Sequence, residues 1–274
     1  SRRQRQMCIR DSKDNIIAVY IDSTHHESWW YEGGGIYRHV WLVKSAPVCV
    51  DLWGVYIRPK KVSETDWRTD ISVTVKNTTS AEVNAIVKTE LYDENGTKAG
   101  ECSTECTLEA RRDTTVNLGT SVKNPILWQV GDGRLYTAVT TVIMDGEEVD
   151  RVSDRYGYRE VVCDPNHGLF VNGRHEKICG VCGHYDCGLV GKAVPDSIFR
   201  YKVKLLTEMG ANGYRTSHYP QSEALMDALD ETFIFTDFLK DHGAPYTDRD
   251  GVYSVSSMQQ LAEWKPVLSR GVLY

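Results

Sequence analysis

Two short apolar runs, each closed by polar residues and separated by one helix-length segment, constrain this chain more than any other feature. The first run leads into Gly180-Val181-Cys182-Gly183-His184, the second into Arg215-Thr216-Ser217-His218-Tyr219-Pro220. Between them, Phe199, Val203, Leu206 and Met209 recur at helical spacing and form one apolar stripe. Asp196 is the expected N-cap of that helix and Gly210 its stop. Strand, helix and strand make a βαβ unit, in which polar residues just past the strands' C-terminal ends gather on one face. His184, Arg215 and His218 are therefore expected to converge, although they are far apart in sequence.

The pattern continues downstream. Ser222 is placed to cap a second helix bearing Leu225, Met226 and Leu229, and Phe233 to Asp237 reads as a third strand. Alternating β and α elements open a (β/α)8 barrel, but closing one takes ~250 residues, and only 163–274 remain for it. The stretch from Phe238 onward, with Gly243, Pro245 and Gly251, has no assignable place in such a fold.

Upstream the chain reads as β-rich scaffold. Residues 53–158 hold seven expected strands: Val55 to Ile57, Ile71 to Val75, Ala85 to Leu91, Cys102 to Leu108, Thr114 to Leu118, Leu135 to Met144 and Glu147 to Val152. Asn95-Gly96 and Asp145-Gly146 supply hairpin turns, and Ile71, Val73 and Val75 alternate with polar neighbours. This spacing predicts an immunoglobulin-like sandwich without an evident antibody-type cysteine pair. Residues 159–176 bridge to the α/β region through a hairpin turning at Asn172-Gly173. Before the sandwich, Asn15 to Asp22 and Ile36 to Val43 read as two strands of a larger β domain, flanking the aromatic cluster Trp29, Trp30 and Tyr31. Two or three strands alone are marginal. Ser1 to Ser12, with four arginines, is unlike the start of a domain.

The balance of charges, −6 over 274 residues, argues against a nucleic-acid or anionic-membrane partner. No apolar run reaches the ~20 residues that span a bilayer, and a cytoplasmic location is expected. The 8 Cys read as reduced thiols rather than a disulfide framework. Cys179, Cys182, His184 and Cys187 have a spacing that invites zinc, yet Cys179 and Cys182 fall on an expected buried strand and no second CxxC completes a site. Small hydrophobes on a strand are the favoured reading.

Taken in order, several motifs resemble glycoside hydrolase family 2, the β-galactosidase and β-glucuronidase group. They are Gly35-Ile36-Tyr37-Arg38-His39-Val40-Trp41-Leu42, Gly133-Arg134-Leu135-Tyr136, Tyr156-Gly157-Tyr158-Arg159, Gly168-Leu169-Phe170-Val171-Asn172-Gly173, Gly180 to His184, and Met209-Gly210-Ala211-Asn212 through Pro220. The resemblance covers about residues 14–237. It implies three parts: residues 1–52 as the C-terminal remnant of a sugar-binding jelly-roll domain, 53–158 as the immunoglobulin-like β-sandwich, and 159–274 as the incomplete start of a catalytic TIM barrel. It also implies retaining hydrolysis of a β-linked carbohydrate, with terminal β-D-galactosides preferred over glucuronides on the strength of His184-Tyr185-Asp186; a β-glucuronidase or β-mannosidase fragment, or a non-catalytic carbohydrate-binding or structural β-sandwich module, is the alternative. In such chemistry one Glu protonates the glycosidic oxygen and a second, ~5 Å away, attacks the anomeric carbon.

The same resemblance marks where this chain departs. The family's acid/base Glu follows an Asn beyond the fourth barrel strand, and this sequence contains no Asn-Glu dipeptide. Around the third strand it has Glu231-Thr232-Phe233 and Asp237-Phe238, where the family usually has a preceding Gly and a following Asp-Glu. Both catalytic carboxylates are thus expected to be missing, and the chain is expected to be a fragment without activity of its own. The resemblance assigns substrate-binding roles to His184, Arg215 and His218. A neutral imidazole both donates and accepts, as a sugar hydroxyl requires; a guanidinium holds carboxylates in place and lowers their pKa. Asp237 and Asp22 are weaker candidates, the latter reading better as a surface strand residue, and the Trp29–Tyr31 aromatics read better as packing between domains than as a sugar platform. No cofactor is called for in this chain, Mg or Na being ions for the complete enzyme, which would be a homo-oligomer.

Overall fold

The computed structural model describes residues 19–21, 35–216, 221–232 and 235–237. It falls into two compact units, Ser1–Val40 and Trp41–Tyr274. The described residues of the first unit, 19–21 and 35–40, have no regular secondary structure, and neither do residues 41–43 of the second. The strand expected over Ile36 to Val43 is therefore not formed; Ile36, Val40, Trp41, Leu42 and Val43 are exposed, and no strand pairs with this run among the described residues. The Asn15 to Asp22 strand, apart from Val19 to Ile21, and the Trp29, Trp30 and Tyr31 cluster lie outside the described residues.

The second unit begins with the sandwich. One sheet is ordered β1(Val48–Lys61), β2(Asp66–Asn77), β5(Arg112–Lys123). The other is ordered β4(Lys98–Leu108), β3(Val83–Tyr92), β6(Tyr136–Met144), β7(Glu147–Tyr156). All these pairings are antiparallel. Period-two burial along β2 and β3 puts Ile71, Val73 and Val75 opposite Val87 and Leu91 in a dry core. β1 starts well before the expected Val55. Its register skips from Val50↔Val75 to Val55↔Val73, so residues 51–54 bulge out and hide the alternation on their N-terminal side. Gly54 is required there, since a Cβ would come within 2.7 Å of the Thr74 carbonyl oxygen.

Aromatic residues close one end of the core. Tyr156 and Tyr158 are fully buried; Tyr158 stands edge-on to Trp67 and Tyr136, with ring centroids 5.8 and 4.8 Å apart. Their hydroxyls are satisfied in a chain, Thr69 Oγ1 to Tyr158 at 2.8 Å and Tyr158 to Tyr156 at 3.2 Å. At another corner Asn77, 1% exposed, donates to the carbonyls of Ala81, Leu108 and Glu109 and accepts from the Thr79 amide and hydroxyl. The two sheets also meet at an edge, where Asp150 Oδ2 accepts the Val50 amide at 2.7 Å.

Beyond the sandwich, β8(Val161–Asp164), β9(Gly168–Val171) and β10(Arg174–Glu176) form a small meander that turns at Asn172-Gly173, both with positive φ, as the sequence predicts. β11(Gly180–Gly183), α1(Asp196–Glu208), β12(Gly213–Thr216), α2(Glu223–Thr232) and β13(Phe235–Asp237) follow. The three strands lie parallel in sequence order, as the βαβ reading requires. Two details differ from expectation. Pro195, not Asp196, is the N-cap of α1 and makes no side-chain cap bond; Asp196 sits in the first turn, where its charge suits the helix dipole. Met209 is 68% exposed, because the helix has ended by then, so the packed stripe is Phe199, Val203 and the partly buried Leu206.

Helix α2 docks on the sandwich. Arg155 of β7 reaches Asp227 at 2.6 Å and Glu231 at 2.7 Å, and Arg200 of α1 reaches the second oxygen of Glu231 at 2.9 Å. Beside this network the Trp128 indole N–H donates to the Asp230 carbonyl at 3.3 Å, and the Arg159 guanidinium lies 4.5 Å from the centroid of the Trp128 ring. Among the described residues, no helix is long and apolar enough to cross a membrane.

Asn77 gives the sandwich a sharp test. Replacing it by Ala leaves the Ala81, Leu108 and Glu109 carbonyls, the Leu108 one buried, without that donor, and a loss of about 1–3 kcal/mol in sandwich stability is expected by urea unfolding. A change within about 0.5 kcal/mol, the range of an ordinary surface substitution, would contradict the corner's structural role.

Candidate active site

The site is built on two parallel strands whose alternation sorts side chains by face. Val181 of β11 pairs with Tyr214 of β12, and both join Phe199, Val203, Leu225, Met226 and Leu229 in a second apolar core beneath the helices. Cys182 pairs with Arg215, so these two belong to the opposite face, away from α1 and α2, and both are exposed. The Arg215 Nη1 donates to Cys182 Sγ at 3.1 Å. Cys182 is thus not the buried strand hydrophobe expected from the sequence: the burial falls on Val181, one residue earlier, and Cys179 is exposed too. The cysteines named among the described residues are free thiols. Among those residues no group of three or more His, Cys, Asp or Glu side chains is gathered as metal ligands would be.

His184 is exposed and occupies the first position after β11. Its neighbour Tyr185 is 2% exposed and packs on Phe199 with ring centroids 4.8 Å apart, while Lys202 donates to the Asp186 carbonyl at 2.7 Å. Helix α1 therefore holds the loop that carries His184. The structure brings His184 and Arg215 to the C-terminal ends of adjacent parallel strands. His218 and Asp22 lie outside the described residues, and for Asp237 only the backbone place at the end of β13 is described.

Two positioning devices escaped the sequence reading. Asn212 accepts the Cys179 amide on Oδ1 at 2.6 Å and donates through Nδ2 to the Lys177 carbonyl at 2.9 Å. It thereby fixes the approach to β11 from the start of β12. The second is the pair Gly183 and Tyr214: a Cβ at Gly183 would overlap the Tyr214 ring. The Met209-Gly210-Ala211-Asn212 run signals the first, but nothing in sequence spacing signals the second.

Residues 50–159 match the family model described as glycosyl hydrolases family 2, and residues 164–237 match that family's TIM barrel domain. The chain belongs to glycosyl hydrolase family 2. It is 36% identical over 225 residues to β-galactosidase BoGH2A of Bacteroides ovatus, covering 81% of this chain and 26% of that protein. It is 31% identical over 213 residues to a β-glucuronidase of Bacteroides fragilis, covering 74% and 30%. Among solved structures it is similar to a family 2 member from Bacteroides cellulosilyticus, with a TM-score of 0.72 and 28% identity over 76% of this chain and 28% of that one. A Bacteroides uniformis β-glucuronidase superposes with a TM-score of 0.69 and 30% identity, over 74% and 25%. This chain thus spans little more than a quarter of the length of the relatives it matches. These matches agree with a family 2 sandwich followed by the start of a TIM barrel.

Gly183 and Tyr214 make the site's packing testable. Gly183→Ala is expected to cost about 1–3 kcal/mol in the β11–β12 segment through overpacking. Gly183→Ala combined with Tyr214→Ala should cost less than the two single changes summed, because the overlap is gone. Amide exchange at Val181 and Cys182 reads this locally; strict additivity would refute the overlap.

Proposed function

We propose that this chain forms the scaffold and first active-site wall of a retaining β-glycosidase that acts on terminal β-D-galactosides, and that alone it does not hydrolyse them. The observation that carries this reading is the shared strand-end location of His184 and Arg215 on a parallel sheet whose other face is covered by helices. In a barrel that is the end where loops and strand termini assemble a pocket. His184 is proposed to bind sugar hydroxyls, donating from one ring nitrogen and accepting at the other. Arg215 is proposed to hold the catalytic carboxylates ionised and in place. His218 is proposed as a further substrate contact. The reacting carboxylates themselves have no counterpart here, since the sequence lacks an Asn-Glu dipeptide.

Galactoside preference is supported by the 36% identity to a protein named as a β-galactosidase. The relatives and neighbours named as β-glucuronidases favour a second reading, in which Arg215 serves a sugar carboxylate as well. On the proposed reading the partner is a β-linked carbohydrate, with no nucleic acid and no membrane surface, the setting is cytoplasmic, and the complete protein is a homo-oligomer.

The purified chain should give no hydrolysis of nitrophenyl β-D-galactoside above a chain-free control. Hydrolysis that copurifies with the chain and survives removal of contaminating enzyme would overturn the inactive assignment. Titration with methyl β-D-galactoside should move the amide resonances of Gly183 to Tyr185 and of Arg215, and His184→Ala should abolish those shifts. If the glucuronide moves them instead, the second reading holds. If neither sugar does, the assigned wall is wrong.

A further inference from the structure

Helix α2 ends in a concentration of negative charge. Asp227, Asp230 and Glu231 fall in its last two turns, and its last turn has no basic residue. The carbonyl end of a helix is itself partially negative, so three carboxylates there are disfavoured unless cations arrive from elsewhere. They arrive from the sandwich and from α1: Arg155 takes Asp227 and Glu231, and Arg200 takes the other oxygen of Glu231. Asp230 is left out of this exchange. Its Oδ2 is buried without a hydrogen-bond partner, while its backbone carbonyl accepts the Trp128 indole N–H. Arg159, the cation on that side, is engaged with the face of the Trp128 ring.

We propose that the joint between α2 and the sandwich is a proton-linked latch centred on Asp230, closed when its carboxyl is protonated and loosened when it ionises. A buried carboxylate oxygen with no donor is costly when charged, whereas a protonated carboxyl needs far less. The groups facing Asp230 point in both directions. Arg159 and Arg155 favour its ionisation, and Asp227 and Glu231 oppose it. Burial is the largest influence and pushes the Asp230 carboxyl up to about 7. For a carboxyl raised on docking, the stabilisation is fully present at pH below the ordinary carboxylate range. It is lost progressively as pH rises towards 7 and levels off above that. The latch therefore weakens as pH rises from the ordinary carboxylate range to about 7, and with it weakens the orientation of the β11–β12 wall against the sandwich.

The readout has to be local, because Asp154 on β7 is also pushed up, to about 6, by burial and adds its own pH dependence to unfolding of the sandwich. Amide hydrogen exchange of α2 in the full chain, corrected for the intrinsic effect of pH, supplies it. Protection at Leu225 to Leu229 is expected to fall by about tenfold or more from pH 5.5 to 8.5. Asp230→Asn should hold that protection within about twofold over the same range, while Asp227→Asn should retain the fall. A flat profile in the unsubstituted chain, or an equal fall in Asp230→Asn, would overturn the proposal. Should Asp230→Asn not fold, the side-chain carboxyl carbon of Asp230 in the unsubstituted chain decides. A titration near neutrality in step with α2 exchange supports the latch, and one in the ordinary carboxylate range refutes it.

Discussion

Trp128 can lie against the end of β7 only because residue 157 has no side chain: a Cβ on Gly157 would come within 2.9 Å of the Trp128 Cβ. That close approach is the constraint on which the relation of the two cores depends. The Trp128 amide donates to the Tyr158 carbonyl at 2.9 Å, and the Trp128 carbonyl accepts from Asn172 Nδ2 at 2.8 Å. Asn172 in turn accepts the Glu160 amide, so sandwich, linker and meander are tied at one residue. On its other side the same indole meets α2 and Arg159. The aromatic core behind Tyr158 and the barrel helices thus share a single wedge, and the direction in which the chain leaves towards β11 follows from it.

The two cores carry different loads. The sandwich buries Trp67, Tyr156, Tyr158, Leu91 and Leu108 between two full sheets. Among the described residues, the second core has apolar cover on one side of its strands, where Phe199, Val203, Leu225 and Leu229 pack. At ~1.5–3 kcal/mol for each fully buried large apolar side chain, that face accounts for most of what holds β11 and β12 in place. The opposite face, with Cys182 and Arg215, is exposed and contributes little. On the proposed reading, function and stability are divided between the two faces of the same short strands, and the proposed functional face is the one that contributes less to holding them.

What the sequence made legible follows this division. Alternation with a solvated face revealed β2 and β3, and the stripe of Phe199 and Val203 revealed α1, because each pattern has a fixed period that burial imposes. The parallel order of β11, β12 and β13, and the places of His184 and Arg215, were readable from the same periods plus the family motifs. Three things were not. The bulge at residues 51–54 breaks the alternation that would announce the first half of β1. Ile36 to Val43 has a strand's composition but no strand beside it among the described residues, and a ladder needs a partner that no local pattern supplies. The carboxylates of α2 face arginines from β7 and α1, and pairings between residues so distant in sequence leave no period to read.

On the proposed reading, the contact between Arg215 and Cys182 leaves the guanidinium available to the site. A guanidinium has five N–H donors in a fixed fork, and thiol sulfur is a weak acceptor. The 3.1 Å contact from Nη1 to Cys182 Sγ gives Arg215 a direction along the sheet face without neutralising its charge. A carboxylate in the place of Cys182 would hold Arg215 more firmly, but would neutralise the charge that the proposed role of Arg215 calls for. The register pairing of Cys182 with Arg215 thus fits a guanidinium kept oriented and charged, with the stabilising work left to Val181 and Tyr214 on the far side of the same two strands.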